Sequence, residues 1–141
     1  MSHTKLLYHI VFRTKYSIAA IKHESEKDLY RYIWNYCKRN ECVLYRIGGM
    51  PDHIHMLIQI PASSCMADFV HNLKISTNYF IRNHPERFPD YQGWNKSYFA
   101  ASCSVSHVNK ITGYIANQKK HHETEDSIAE FKRLTESILT A

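Results

Sequence analysis

Apolar positions along this chain repeat every two residues in some stretches and about every 3.6 in others, and the switches divide it into elements. Leu6, Tyr8, Ile10 and Phe12 alternate, predicting a first strand over Leu6–Phe12 with Arg13-Thr14-Lys15-Tyr16 as a polar exit. Leu29, Tyr32, Ile33, Tyr36 and Cys37 recur at helical spacing, predicting a helix over Glu24–Asn40. Cys42–Ile47 reads as a second strand, Gly48-Gly49-Met50-Pro51-Asp52 as the turn after it, and His53–Ile60 as a third strand closed by Pro61. Phe69, Val70, Leu73, Thr77, Phe80 and Ile81 mark a second helix over Ala67–Asn83. Pro85 and Pro89 make His84–Gln92 irregular, and Tyr98–Ser104 follows as a fourth strand. Two more helical stretches close the chain, about 105–122 with Tyr114 and Gln118, and about 125–139 with Ile128, Phe131, Leu134, Ile138 and Leu139 apolar.

The order βαββαβ, with a tight turn between the second and third strands and helical crossovers elsewhere, predicts an α+β fold. It is the ferredoxin-like, RRM-like plan: an antiparallel four-stranded sheet with two helices on one face. The core spans about 5–104 of a single domain, 1–141, to which a tyrosine-bearing helix and a further helix are appended. A helix whose apolar stripe lies beyond a finished core is expected to dock on a partner, most simply a second copy in a homodimer.

The chain's 141 residues suit one such core. With 18 Lys and Arg against 13 Asp and Glu, the formal charge is +5, which fits a polyanionic partner as well as plain solubility. Cys37, Cys42, Cys65 and Cys103 show no CxxC pairing and read as reduced thiols, so no disulfide is expected. No apolar run approaches the roughly 20 residues of a membrane span, and Met1-Ser2-His3-Thr4-Lys5 leads straight into a strand, which points to the cytoplasm.

The candidate chemistry lies in Pro51-Asp52-His53-Ile54-His55. On a strand His53 and His55 project to the same side about 7 Å apart along the backbone, close enough to chelate one cation. Ten histidines in the chain make a chance His-x-His on an exposed face a rival reading. No cysteine pair supports a closed structural zinc site, whereas two imidazoles plus a neutral amide leave coordination positions open for a substrate oxygen. Tyr114 and Gln118, four apart, rise from one helix face about 6 Å apart, so the amide can join the metal while the phenol faces phosphorus. A tyrosine that attacks a phosphodiester makes a covalent phosphotyrosine, which splits cleavage and rejoining into two transesterifications. Each of the ten tyrosines can also simply pack by its ring.

Taken together, His53-Ile54-His55, the preceding Pro51-Asp52, the Tyr114-Ile115-Ala116-Asn117-Gln118 segment and the trailing His121-His122 resemble the single-tyrosine HUH transposases of small insertion sequences, the TnpA-like and REP-associated group. The resemblance extends from His9-Ile10-Val11-Phe12-Arg13-Thr14-Lys15-Tyr16 through Trp94, Tyr98, Ser102 and Ser104, with Ser97, Phe99 and Ala101 as local departures. It implies a dimeric enzyme that cleaves and rejoins single-stranded DNA at hairpin-bearing element ends. Tyr114 would be the nucleophile of a 5′-phosphotyrosine intermediate, and His53, His55 and Gln118 the ligands of Mg2+ or Mn2+. It also implies that the tyrosine helix can be exchanged between subunits, and action at the nucleoid. Arg13, Lys15, Lys74, Arg82, Lys110, Lys119, Lys120, His121 and His122 are the candidates for DNA contact, with Tyr and Trp rings available for stacking on unpaired bases. The competing readings are a non-catalytic RRM-like module for single-stranded nucleic acid, and a metal-dependent phosphodiesterase in which the histidines activate water.

Overall fold

The computed structural model describes residues 2–122 and 125–139. The predicted domain also includes residues 1, 123, 124, 140 and 141, and the last helix the side chains of Ile138 and Leu139; these lie outside the described residues. Strands β1 (Leu6–Thr14), β2 (Val43–Met50), β3 (His53–Ile60) and β4 (Trp94–Cys103) form one antiparallel sheet in the order β2-β3-β1-β4. Helices α1 (His23–Arg39) and α2 (Met66–Arg82) provide the crossovers. The α+β, ferredoxin-like layout read from the pattern is the observed one.

Alternation divides β3 between two environments. Ile54, Met56, Ile58 and Ile60 enter the main core with Ile10 and Phe12 of β1, where α1 contributes Leu29, Ile33 and Cys37 and α2 contributes Phe69, Val70, Leu73 and Ile81. His53, His55 and Leu57 face the other way, as do Leu7, His9 and Val11 of β1. Acidic Glu24 and Glu26 open α1 and Lys38 and Arg39 close it, each sign at the helix end that favours it.

The second face is covered as well. The segment predicted as one helix over 105–122 is a 3-10 turn at Val105–His107, then α3 (Val108–Ala116) and the four-residue α4 (Gln118–His121), with a break at Asn117. Both α3 and α4 lie against β2, and α3 also against β3, while α5 (Ser127–Leu139) packs on β4. The sheet therefore has helices on both faces, and α5 docks on its own chain. The glycines read as a turn are strand residues: Gly48 and Gly49 pair with His55 and Ile54, and the turn itself is Pro51-Asp52. A Cβ on Gly48 would lie 2.9 Å from the Ile115 carbonyl oxygen, so the missing side chain is what lets α3 approach the sheet. Thr14 and Ile21 donate backbone hydrogen bonds to the Asp52 and Pro51 carbonyls, which fixes the turn that launches His53.

Candidate active site

His53 and His55 sit two apart on β3, opposite Arg13 and Val11 of β1, and both side chains are buried at 1% and 0% exposure. Each ring is held by its far nitrogen. His53 Nδ1 lies 2.9 Å from Asp52 Oδ1, and Ser127 Oγ at the start of α5 donates to the same carboxylate oxygen at 2.5 Å. His55 Nδ1 lies 2.8 Å from Nε2 of His9, whose ring stacks on it. These contacts aim both Nε2 atoms at one point, as outer partners do around metal-binding histidines.

Three further groups meet there. Gln118 Oε1 is 3.1 Å from His53 Nε2, and Glu130 Oε1 of α5 is 3.1 Å from His53 Nε2 and 2.9 Å from His55 Nε2. His122 Nε2 lies 3.1 Å from the same Glu130 oxygen. The Tyr114 phenol donates a short hydrogen bond to the other oxygen, Glu130 Oε2, which also accepts from Gln118 Nε2 at 3.1 Å. Arg133 Nη2 donates to the phenol oxygen at 2.9 Å, and Arg133 is itself paired with Glu125.

Electrostatics separates the members of this cluster. Burial works against a charge on His53, yet hydrogen bonds to Asp52, Glu130 and Gln118 outweigh it and push this imidazole up to about 9. Burial holds His9 down to about 3 and also lowers His55, whose neighbour His53 adds to the effect. Burial opposes the ionised form of Glu130, but its hydrogen bonds from His53, His55 and Tyr114 leave it far below the carboxylate range. Burial and the Glu130 contact push the Tyr114 phenol up to about 12, so it rests protonated.

The structure thus brings together four residues singled out in the sequence, His53, His55, Tyr114 and Gln118, within one chain. Among the nine DNA candidates it separates several groups. Arg13 lies under α5 with its guanidinium carbon 4.2 Å from the Phe131 ring centre, and its buried Nε has no partner. His122 turns into the cluster, and His121 pairs with Glu125 at 2.6 Å. Lys119 binds Glu26 and the Gly49 carbonyl while remaining exposed, and half-buried Lys74 binds the Asn95 and Lys96 carbonyls. Lys15, Arg82, Lys110 and Lys120 are exposed. Lys110 and Arg133 line an open cavity of about 560 Å³ beside Tyr114.

Sequence reasoning missed Glu130, Arg133, His9 and the supporting role of Asp52. A signal existed for Glu130, an acid adjoining Phe131 and one helical turn from Leu134 on the stripe that covers the sheet.

The family model described as Transposase IS200 like matches residues 2–118. The chain belongs to this family. It is 28% identical over 134 residues to the transposase of insertion sequence element IS200 from Salmonella typhimurium LT2, a match spanning 92% of this chain and 86% of that one. It is 26% identical over 118 residues to the ISDra2 transposase TnpA of Deinococcus radiodurans, spanning 81% and 84%. A crystal structure of a candidate transposase from Deinococcus radiodurans R1 superposes with a TM-score of 0.65 at 28% identity, over 83% of this chain and 93% of that one. The REP-associated tyrosine transposase, solved bound to a REP hairpin, shares the fold at TM-score 0.65 and 10% identity, over 86% and 72%. Glu130 and Arg133 of this IS200-like transposase lie beyond the segment that the family model matches. No helix among the described residues is long and apolar enough to cross a membrane.

Proposed function

We propose that this IS200-like transposase cleaves and rejoins single-stranded DNA at insertion-sequence ends that carry hairpins, through a 5′-phosphotyrosine on Tyr114. The observation that carries the reading is the meeting of Tyr114 with His53, His55 and Gln118 around one buried carboxylate, at the edge of a cavity flanked by Lys110 and Arg133. In the step, the phenol oxygen bonds to the scissile phosphorus while the bond from phosphorus to the 3′-oxygen breaks, and that oxygen takes a proton to leave as a 3′-hydroxyl. Attack by a 3′-hydroxyl on the phosphotyrosine reverses it, ester for ester, and frees the phenol. Glu130 Oε2 orients the phenol through its hydrogen bond, Arg133 faces the charge developing on the oxygen, and the proton that the phenol loses balances the one that the leaving 3′-oxygen gains.

The donors fit a divalent cation, Mg2+ or Mn2+, because the two imidazole Nε2 atoms and the Gln118 carbonyl converge with their outer atoms already bonded elsewhere. Such an ion, when bound, supplies Lewis-acid polarisation of the scissile phosphate. We assign contact with the DNA backbone to the exposed cations Lys15, Arg82, Lys110, Lys119 and Lys120. The enzyme acts in the cytoplasm at the nucleoid, as a homodimer whose tyrosine helices can exchange. Because Tyr114 already reaches the histidines of its own chain, exchange would replace each contact with its equivalent.

The test is incubation with labelled single-stranded hairpin DNA and Mn2+, followed by a denaturing gel. A protein-linked strand is expected from the native chain, and Tyr114→Phe should reduce it to background while hairpin binding persists. Free 5′ and 3′ ends without a linked strand would identify a phosphodiesterase instead. Binding without cleavage, insensitive to EDTA, would identify an RRM-like module.

A further inference from the structure

We infer that Glu130 is an additional metal ligand, supplied by α5, which adds an anionic oxygen to the two imidazoles and the amide. The inference rests on the cation site proposed above and concerns a residue beyond the segment that the family model matches.

The geometry around Glu130 Oε1 is that of neighbours on a coordination sphere. Its separations from His55 Nε2, His53 Nε2 and His122 Nε2 are 2.9, 3.1 and 3.1 Å, and Gln118 Oε1 is 3.1 Å from His53 Nε2. Ligands about 2.1 Å from an octahedral ion lie about 3 Å apart along each edge. With Nδ1 of His53 on Asp52 and Nδ1 of His55 on His9, hydrogens on those inner nitrogens leave both Nε2 lone pairs facing a carboxylate lone pair. One proton relieves a single edge of that arrangement, whereas a dication relieves them all. The carboxylate is also oriented for the task, because Tyr114 and Gln118 Nε2 occupy Oε2 and leave Oε1 turned to the imidazoles. Glu130 is 1% exposed, so its charge is held by the groups at hydrogen-bond distance, the imidazoles of His53 and His55 among them. A set rich in imidazole suits manganese better than magnesium, which prefers oxygen donors and retains water. Its second oxygen would then join the nucleophile to the ion through one side chain.

The opposite reading of the same contacts is a plug, in which Glu130 fills the place that the ion would take. Titration of the metal-free full chain with Mn2+, followed by the electron paramagnetic resonance of free Mn2+, separates the two. Glu130→Gln should weaken Mn2+ binding by at least about 10-fold, with His53→Ala as the reference loss. Binding by Glu130→Gln or Glu130→Ala as tight as the native chain's, or tighter, overturns the assignment and leaves the histidine pair standing. No loss in His53→Ala either overturns the cation site itself. A second measurement needs no variant: Mn2+ added to the native protein should slow proteolytic cleavage within α5. Faster cleavage on adding Mn2+ would mean that the ion expels Glu130, and the assignment falls.

Discussion

Along β3 the residues Ile54, Met56, Ile58 and Ile60 turn to α1 and α2, while His53 and His55 turn to α3, α4 and α5, so a single strand borders two interiors. The first is apolar, and close packing is enough to hold it. The second is as dry at its centre, with His53, His55, Gln118 and Glu130 each at 1% exposure or less, but every group there needs a partner to offset its lost hydration. The apolar side therefore tolerates exchanges that keep volume and shape. The polar side depends on a particular set of hydrogen-bonding atoms, the set on which the proposed metal and tyrosine chemistry rests. Alternation along one strand thus assigns neighbouring residues to an apolar interior and to one with a polar centre.

The comparison breaks most clearly if damage on one side produces the signature expected of the other. Ile58→Ala opens a cavity in the fully buried core and should cost about 2–5 kcal/mol in denaturant unfolding. Protein-linked DNA should still form below its lowered melting temperature; loss of the adduct in a folded variant would show that the two interiors are coupled. A second effect is pH-dependent and belongs to the polar side of the metal-free chain. His53 is raised from its ordinary value to about 9, so the stability its charge confers is complete below about pH 6.5 and is lost as pH rises through 9. The melting-temperature gap between the native chain and His53→Ala, both in EDTA, should therefore narrow from pH 6 to pH 10, by up to about 3 kcal/mol of stability. A gap that stays constant would mean that His53 is neutral in the folded protein. The smallest change is expected from Gly48→Ala, whose Cβ would meet the Ile115 carbonyl oxygen at 2.9 Å and push α3 from the sheet. About 1–3 kcal/mol of destabilisation should accompany a reduced adduct yield, since Tyr114 rides on α3. Unchanged yield would show that the tyrosine helix reaches the histidines without that close approach.

Much of the first interior was legible in the sequence because strand and helix periods are local signals. The alternation around His53 and His55 and the stripes of α1 and α2 place the core correctly, with element ends displaced by a few residues. The second interior was legible only in its local parts, the His-x-His pair and the Tyr114 and Gln118 spacing. Gly48 and Gly49 look like a turn by composition, yet they lie in a strand because α3 requires a bare backbone beneath it. The apolar stripe of α5 was read as a surface for another copy; among the described residues α5 lies against β4 of its own chain, with Phe131 over Arg13, while Ile128 is exposed. Glu130 carried no local sign of its partners, which lie 75 and 77 positions earlier at His55 and His53.

The order of strands and helices, the alternation that turns the two histidines away from the core, and the identity of a phenol and an amide able to serve them were determined by the sequence itself. These properties depend on residues within a few positions of one another, where backbone periodicity dictates direction. Which face α5 covers, which carboxylate meets the imidazoles, and how Asp52 and His9 orient them were decided only by the tertiary structure. Those relations join residues far apart in the chain, and they are selected by the cost of burying each charge without its counterpart.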